Sequence, residues 1–170
     1  MISADHVGPL ELLVIQPTPF CNLDCSYCYL PDRANKRKMT LETLEKALNW
    51  AFSSGLVRQP FTLLWHAGEP MVLPATFYEQ ATIVLERCNV DRFEVTQSLQ
   101  TNATLVNEAW CEFIRRRGVQ IGVSVDGPHF LNDRHRVTRQ GRGTLENVLR
   151  GMKMLRDHQI PFDEIGRAHV

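Results

Sequence analysis

Cys21-Asn22-Leu23-Asp24-Cys25-Ser26-Tyr27-Cys28 spaces three cysteines as C-x3-C-x2-C. Three thiols crowded into so short a stretch do not form a disulfide framework, and in a reducing compartment they point to metal or redox chemistry. Iron–sulfur clusters usually take four thiolates, so three cysteines leave one iron of a cubane without a protein ligand and open to a small molecule. Zinc is the competing reading. Structural zinc takes four closed ligands, usually as paired half-sites, and no second Cys or His pair accompanies this loop.

Working outward from the cysteines, the loop follows an apolar, β-prone run over residues 10–15. Similar runs recur at 61–65, 93–99 and 119–125. Helical patterns separate them. Leu41, Leu44, Leu48 and Ala51 follow the N-cap candidate Thr40. Phe77, Ala81, Val84, Leu85 and Cys88 follow Pro74, a residue tolerated in a first helical turn. Trp110, Phe113 and Ile114 lie between Asn107, a cap candidate, and Gly118. Leu145, Val148, Leu149, Met152 and Leu155 follow Thr144. This alternation predicts an α/β fold of about four βα units around a parallel sheet, either part of a (βα) barrel or an open sheet.

Each predicted strand runs straight into a polar or small cluster. The first is the cysteine loop; the others are His66-Ala67-Gly68-Glu69-Pro70, Gln100-Thr101-Asn102 and Asp126-Gly127-Pro128. In parallel α/β folds the active site lies beyond the C-terminal strand ends, so four such loops converge on one mouth.

Composition narrows the function class. Among 170 residues, 19 Lys and Arg balance 19 Asp and Glu, so no global field attracts nucleic acid or an anionic membrane. Residues 1–9 have neither a basic segment nor an apolar core of a signal peptide, and no apolar run is long enough to span a bilayer. A cytoplasmic protein with no nucleic-acid or membrane partner is expected.

The cysteine loop, with aromatic Tyr27 just before its third cysteine, is similar to the signature of the radical S-adenosylmethionine (SAM) superfamily. His66-Ala67-Gly68-Glu69-Pro70, Gln100-Thr101-Asn102-Ala103-Thr104 and Gly122-Val123-Ser124-Val125-Asp126-Gly127-Pro128 resemble matching motifs of its peptide-modifying branch, whose members carry SPASM domains. Within that branch Gln16-Pro17-Thr18-Pro19-Phe20, Tyr29-Leu30-Pro31 and Trp65-His66-Ala67-Gly68-Glu69-Pro70 look most like cyclophane-forming maturases of the GrrM type. The resemblance covers residues 10–162.

It implies a [4Fe–4S] cluster on Cys21, Cys25 and Cys28, with SAM chelating the open iron. It also implies that Glu69, beside Gly68, meets the SAM amino group, and that Gln100 and Asn102 lie near its ribose and methionyl groups. Ser124 is a further SAM contact, Arg136 pairs with the SAM carboxylate, and His66 forms a pocket wall. The family motif has glycine where Ala67 stands, which removes one residue suited to positive φ. The implied activity is reductive cleavage of SAM to a 5′-deoxyadenosyl radical that modifies a ribosomally made precursor peptide. A flavodoxin or ferredoxin would supply the electron. A sulfatase-maturating enzyme, oxidising Cys or Ser to formylglycine, shares the same motifs, and a zinc-binding interaction module is the alternative outside enzymes.

Other features have plainer readings. Asp126-Gly127-Pro128 is turn chemistry, with an indirect role at the site. Gly141-Arg142-Gly143 leads into the Thr144 cap, and Arg115, Arg116 and Arg117 form a solvated helix end. Arg33, Lys36, Arg37 and Lys38 form a solvated loop that could also meet an acidic leader peptide. Cys88 and Cys111 act as small apolar residues. Ile165-Gly166-Arg167-Ala168-His169-Val170 reads like a translated sequencing adapter, so residues 1–164 are expected to be the N-terminal part of a radical SAM core, with a SPASM domain absent.

Overall fold

A computed structural model describes residues 8–166. Five parallel strands, β1 (Leu12–Ile15), β2 (Phe61–Trp65), β3 (Val95–Thr101), β4 (Gln120–Ser124) and β5 (Phe162–Ile165), lie side by side in chain order. Helices α1 (Leu41–Ser53), α2 (Ala75–Cys88) and α3 (Glu108–Arg117) connect the first four strands. Two helices, α4 (His129–His135) and α5 (Leu145–Asp157), precede β5. This is the expected α/β fold around a parallel sheet, with one strand more than the four read from the apolar runs. Ile165, the first residue of the adapter-like stretch, ends β5, whereas 167–170 lie outside the described residues. No helix among the described residues is long and apolar enough to cross a membrane.

The caps explain where the helices begin. Thr40 Oγ1 accepts from Thr43 N, and Asn107 Oδ1 from Trp110 N at 3.1 Å, each satisfying an orphan donor of a first turn. Gly118 ends α3 in the left-handed region. α5 departs from expectation because the Thr144 side chain does not cap it. Asp133 Oδ1 accepts instead from Thr144 N and Leu145 N, both at 2.8 Å, while the Thr144 hydroxyl donates to Arg136 O.

Alternation along the strands sets the core. Leu63, Trp65, Leu99, Thr101, Ile121 and Val123 are buried towards the helices, where Leu44, Leu48, Trp110, Phe113 and Leu155 meet them. Cys88 and Cys111 are buried in this core, as their helical spacing predicts. Trp65 meets Tyr78 edge-on and Tyr78 meets Trp110 at a tilt, with ring centroids 5.2 and 5.0 Å apart. The Tyr78 hydroxyl donates to Pro70 O at 2.7 Å, so this aromatic layer anchors the loop after β2. Arg116 and Arg117 do more than complement the α3 dipole, because both bond Glu79 on α2.

Candidate radical SAM site

The cysteine loop is held from two sides. Asp24 N donates to Val137 O (2.8 Å) and Ser26 N to His135 O (3.0 Å), which lace it to the end of α4 and the segment that follows. Arg33 Nη1 donates to Cys25 O at 3.0 Å, and Arg139 Nε to Cys21 O at 2.9 Å. Within the loop, Leu23 N donates to Cys21 Sγ and Cys28 N to Cys25 O, a tight turn that brings the later thiols back towards the first.

The loop after β2 passes close beneath. A Cβ on Gly68 would lie 2.3 Å from Thr18 O, and Gly68 has φ 64, so this position admits only glycine. Ala67 adopts φ 72 despite its Cβ, at a cost of roughly 1–2 kcal/mol. The missing glycine therefore leaves the left-handed conformation in place and makes it costlier. Glu69 N donates to Phe20 O at 2.9 Å, tying the two loops together.

Glu69 is 1% exposed, and its carboxylate accepts from Met71 N (2.9 Å), Thr101 Oγ1 (2.7 Å) and Asn102 N (2.9 Å). Burial pushes its carboxyl up, opposed by those hydrogen bonds. Three donors occupy a group with about four acceptor sites, so one remains for an incoming cation. Such a cation would favour the ionised form.

The loops after β3 and β4 complete the wall. Asn102 Nδ2 donates to Asn22 Oδ1 at 2.9 Å, and Asn22 Nδ2 to Thr104 Oγ1 at 2.9 Å, which fastens the cysteine loop to the third strand end. Gln100 Nε2 donates to Ser124 Oγ at 2.8 Å across Gly122, whose missing Cβ leaves room for the Gln100 amide. Asp126 is buried. It accepts from the Tyr27 hydroxyl at 2.5 Å and pairs with Arg136, whose guanidinium lies 5.6 Å from the centre of the Tyr27 ring.

The loops enclose one cavity of about 290 Å³. Cys21, Cys25, Cys28, Gly68, Glu69, Gln100, Asn102, Ser124 and Arg136 all line it, as does His66. No candidate lies elsewhere. A larger hollow of about 520 Å³ sits by Gly118, Gln120 and Pro161, at the opposite ends of the strands from the motif loops. Sequence reasoning overlooked Asn22 and Thr101, and saw Asp126 as a turn with an indirect part in the site but not the residues that it holds. Asn22 was available within the cysteine motif itself, whereas nothing local distinguishes a buried Asp-Gly from an ordinary turn.

All three cysteines are half-buried. Burial, then the neighbouring Glu69, pushes Cys21 up to about 12, and burial also raises Cys25, with Arg136 opposing it. A metal bound there would have to displace a proton from Cys21. Burial pulls His66 below its ordinary value, so its ring is neutral at neutral pH. Among the described residues no three His, Cys, Asp or Glu side chains close around a single ion. The three thiols instead ring a shared space, an arrangement suited to a cluster in which each sulfur meets a different iron.

The sequence matches the Radical SAM superfamily over residues 15–166. The chain belongs to this superfamily. Radical SAM enzymes use a [4Fe–4S] cluster and SAM. An uncharacterized protein of Synechocystis sp. is 41% identical over 94% of the chain and 41% of its own length. The serine-type anaerobic sulfatase-maturating enzyme of Klebsiella aerogenes is 35% identical over 95% of the chain and 40% of its own length. Among solved structures, native anSMEcpe with bound AdoMet and Cp18Cys peptide superposes with a TM-score of 0.80 at 26% identity, covering 92% of this chain and 42% of that one. Streptococcus suis SuiB bound to precursor peptide SuiA shares the fold, with a TM-score of 0.59 at 19% identity over 95% of this chain and 40% of that one. The chain thus spans about two fifths of the length of these curated relatives.

The cavity fits the two cofactors chemically. Its thiols provide soft ligands for iron, and its other side chains suit a zwitterion. Glu69 offers an acceptor to an ammonium. Arg136 Nε is a buried side-chain nitrogen with no hydrogen-bond partner among the described residues, a donor suited to a carboxylate.

Proposed function

We propose that this chain is the N-terminal part of a radical SAM core that modifies a ribosomally made precursor peptide. The reaction we assign is a cyclophane cross-link between an aromatic ring carbon and the β-carbon of a nearby residue: the radical takes one hydrogen atom from the β-carbon, and the ring loses the second as a proton, its electron passing to a one-electron acceptor such as an oxidised iron–sulfur cluster. The observation that carries the radical SAM part is the gathering of three thiols, an acid and an unsatisfied cationic donor around one cavity.

In this reading Cys21, Cys25 and Cys28 hold the cluster, and Glu69 and Arg136 receive the amino and carboxylate groups of SAM. When bound, the cluster and SAM supply a 5′-deoxyadenosyl radical able to remove a substrate hydrogen. The chain's own work is orientation. Asp126 fixes Arg136 and Tyr27, Asn22 and Asn102 fix the cysteine loop, and Gln100 with Ser124 lines the remaining wall beside His66. Exclusion of water by the buried loops protects a reactive species from solvent.

A peptide substrate is supported by anSMEcpe, whose structure holds a peptide. The cyclophane assignment is supported by the GrrM-like motifs around Gln16, Tyr29 and Trp65. Formylglycine formation is the second reading, favoured by the 35% identity to the Klebsiella aerogenes enzyme. Peptide-binding elements and any auxiliary clusters would belong to the part of such enzymes that this chain does not span, so the chain alone is expected to leave a peptide unmodified.

The test incubates the full-length enzyme with reductant, SAM and precursor peptide, then follows peptide mass and reactivity with an aminooxy probe. Loss of two hydrogens per modification without probe labelling supports the cross-link. Labelling would reveal an aldehyde and support formylglycine instead.

A further inference from the structure

Arg33, expected in a solvated loop, instead turns its guanidinium onto the backbone of the cysteine loop. Its side chain is only 24% exposed. Nη1 donates to the Cys25 carbonyl at 3.0 Å, and Nη2 lies 3.1 Å from Asp24 Oδ1. The main chain of the same residue reaches a second cysteine, because Cys21 N donates to Arg33 O at 3.1 Å. Asp24 offsets the guanidinium only in part: its side chain is 52% exposed, so water and salt screen it more. Unlike Arg136, Arg33 does not line the cavity. Its charge therefore stands behind the cysteines, away from the space open to SAM. Burial raises the Cys25 thiol, and Arg136 and Arg33 both oppose that rise, so the two cations act on charge at this sulfur. Arg139 donates to the Cys21 carbonyl in a similar way but is exposed.

We propose that Arg33 is a fixed cation that raises the reduction potential of the cluster, so that the cluster accepts an electron more readily. The proposal rests on the radical SAM reading, with Cys25 as a ligand, and concerns how that site is tuned. One-electron reduction makes the cluster more negative by one charge, and no bond forms or breaks. A positive charge held behind a ligand therefore stabilises the reduced form more than the oxidised one. A guanidinium keeps its charge at any working pH, and here the Cys25 carbonyl and the Asp24 carboxylate hold its planar fork in place. Arg139 contributes less, because solvent screens it. A residue that merely clasps the loop would need only a hydrogen-bond donor at the Cys25 carbonyl. Charge is what separates the two roles.

The test titrates the anaerobically reconstituted protein with dithionite and mediator dyes. It follows the electron paramagnetic resonance signal of the reduced cluster that is absent when Cys21, Cys25 and Cys28 are all replaced by Ala. Each cluster takes one electron from a mediator, which is oxidised by one equivalent. Iron and sulfide are measured alongside. Arg33→Gln keeps a donor but loses the charge, so at a fixed applied potential its ratio of reduced to oxidised cluster should fall roughly tenfold, a midpoint about 59 mV lower. Arg33→Lys keeps the charge and should stay within roughly threefold of the wild-type ratio. Asp24→Asn removes the opposing acid and should shift the ratio the other way, towards the reduced form, at unchanged iron content. An Arg33→Gln protein with full iron and a wild-type midpoint would overturn the proposal. So would equal shifts in the Arg33→Gln and Arg33→Lys proteins, which would assign Arg33 to holding the loop. Where Arg33→Gln loses iron, Asp24→Asn decides: a raised midpoint supports the proposal and a wild-type midpoint overturns it. A wild-type protein without iron–sulfur absorbance would instead overturn the radical SAM reading itself.

Discussion

Arg136 Nη2 lies 3.0 Å from Asp126 Oδ1, and the two side chains are only 11% and 0% exposed. A buried pair of this kind is strongly destabilising to break, because the survivor is left as an uncompensated charge. Here the same carboxylate also holds the Tyr27 hydroxyl, so one acid links the β4 end to the cysteine loop.

Asp126→Asn should keep one acceptor but lose the charge that positions Arg136. SAM affinity is expected to fall roughly tenfold, equivalent to about 1.4 kcal/mol. Iron content should be unchanged. Equilibrium SAM binding beside iron analysis measures both, and unchanged affinity would remove Asp126 from the site.

Glu69→Ala should weaken SAM binding while the cluster still assembles, because Glu69 is proposed to meet the amino group and not iron. It also strands three donors, Met71 N, Thr101 Oγ1 and Asn102 N, so some loss of thermal stability accompanies it. A variant with wild-type SAM affinity would exclude Glu69 from that role.

Much of this arrangement could be read from local chemistry. Thr40, Asn107 and Gly118 mark helix ends because their side chains, or the lack of one, solve a local hydrogen-bonding or conformational problem. The cysteine loop and the polar cluster after β2 are contiguous in the chain, so cysteine spacing exposed the first and its place behind a predicted strand the second, while the SAM roles came from the family resemblance. What stayed hidden depends on tertiary contact. The α5 cap comes from Asp133, on another helix, and α4 has only seven residues, too few for a periodic apolar stripe. Phe162–Ile165 carries two acids and has three exposed residues, so β5 lacks the apolar signature of its neighbours. Asp126 looks like half of a turn until Tyr27 and Arg136 are seen to close over it.

Ala67 and Gly68 make a paired backbone test. Gly68→Ala adds left-handed strain and a clash with the Thr18 carbonyl, so it should cost at least about 2 kcal/mol by chemical denaturation. Ala67→Gly relieves strain but adds freedom to the unfolded chain, and should stay within about 1 kcal/mol of wild type. Equal effects of the two substitutions would contradict the loop geometry.

Asp133→Ala removes the donor-satisfying group of α5 and should cost about 1 kcal/mol. Burial alone would raise the Asp133 carboxyl, but bonds from Asn132, Leu145 N and Thr144 N outweigh it and hold the group below its ordinary 3.8. The unfolded chain therefore binds more protons across that window. The stabilisation is complete above about pH 4–5 and is lost as pH falls through the folded-state value. Denaturation midpoints of variant and wild type should converge in acid; a gap independent of pH would refute the cap.

Iron and acid-labile sulfide analysis of the anaerobically reconstituted protein, beside a variant with Cys21, Cys25 and Cys28 all replaced by Ala, tests the central claim most directly. The wild type should bind about four irons with matching sulfide, and the variant none at this site. Stoichiometric zinc without iron, or a variant that retains the cluster, would contradict the assignment.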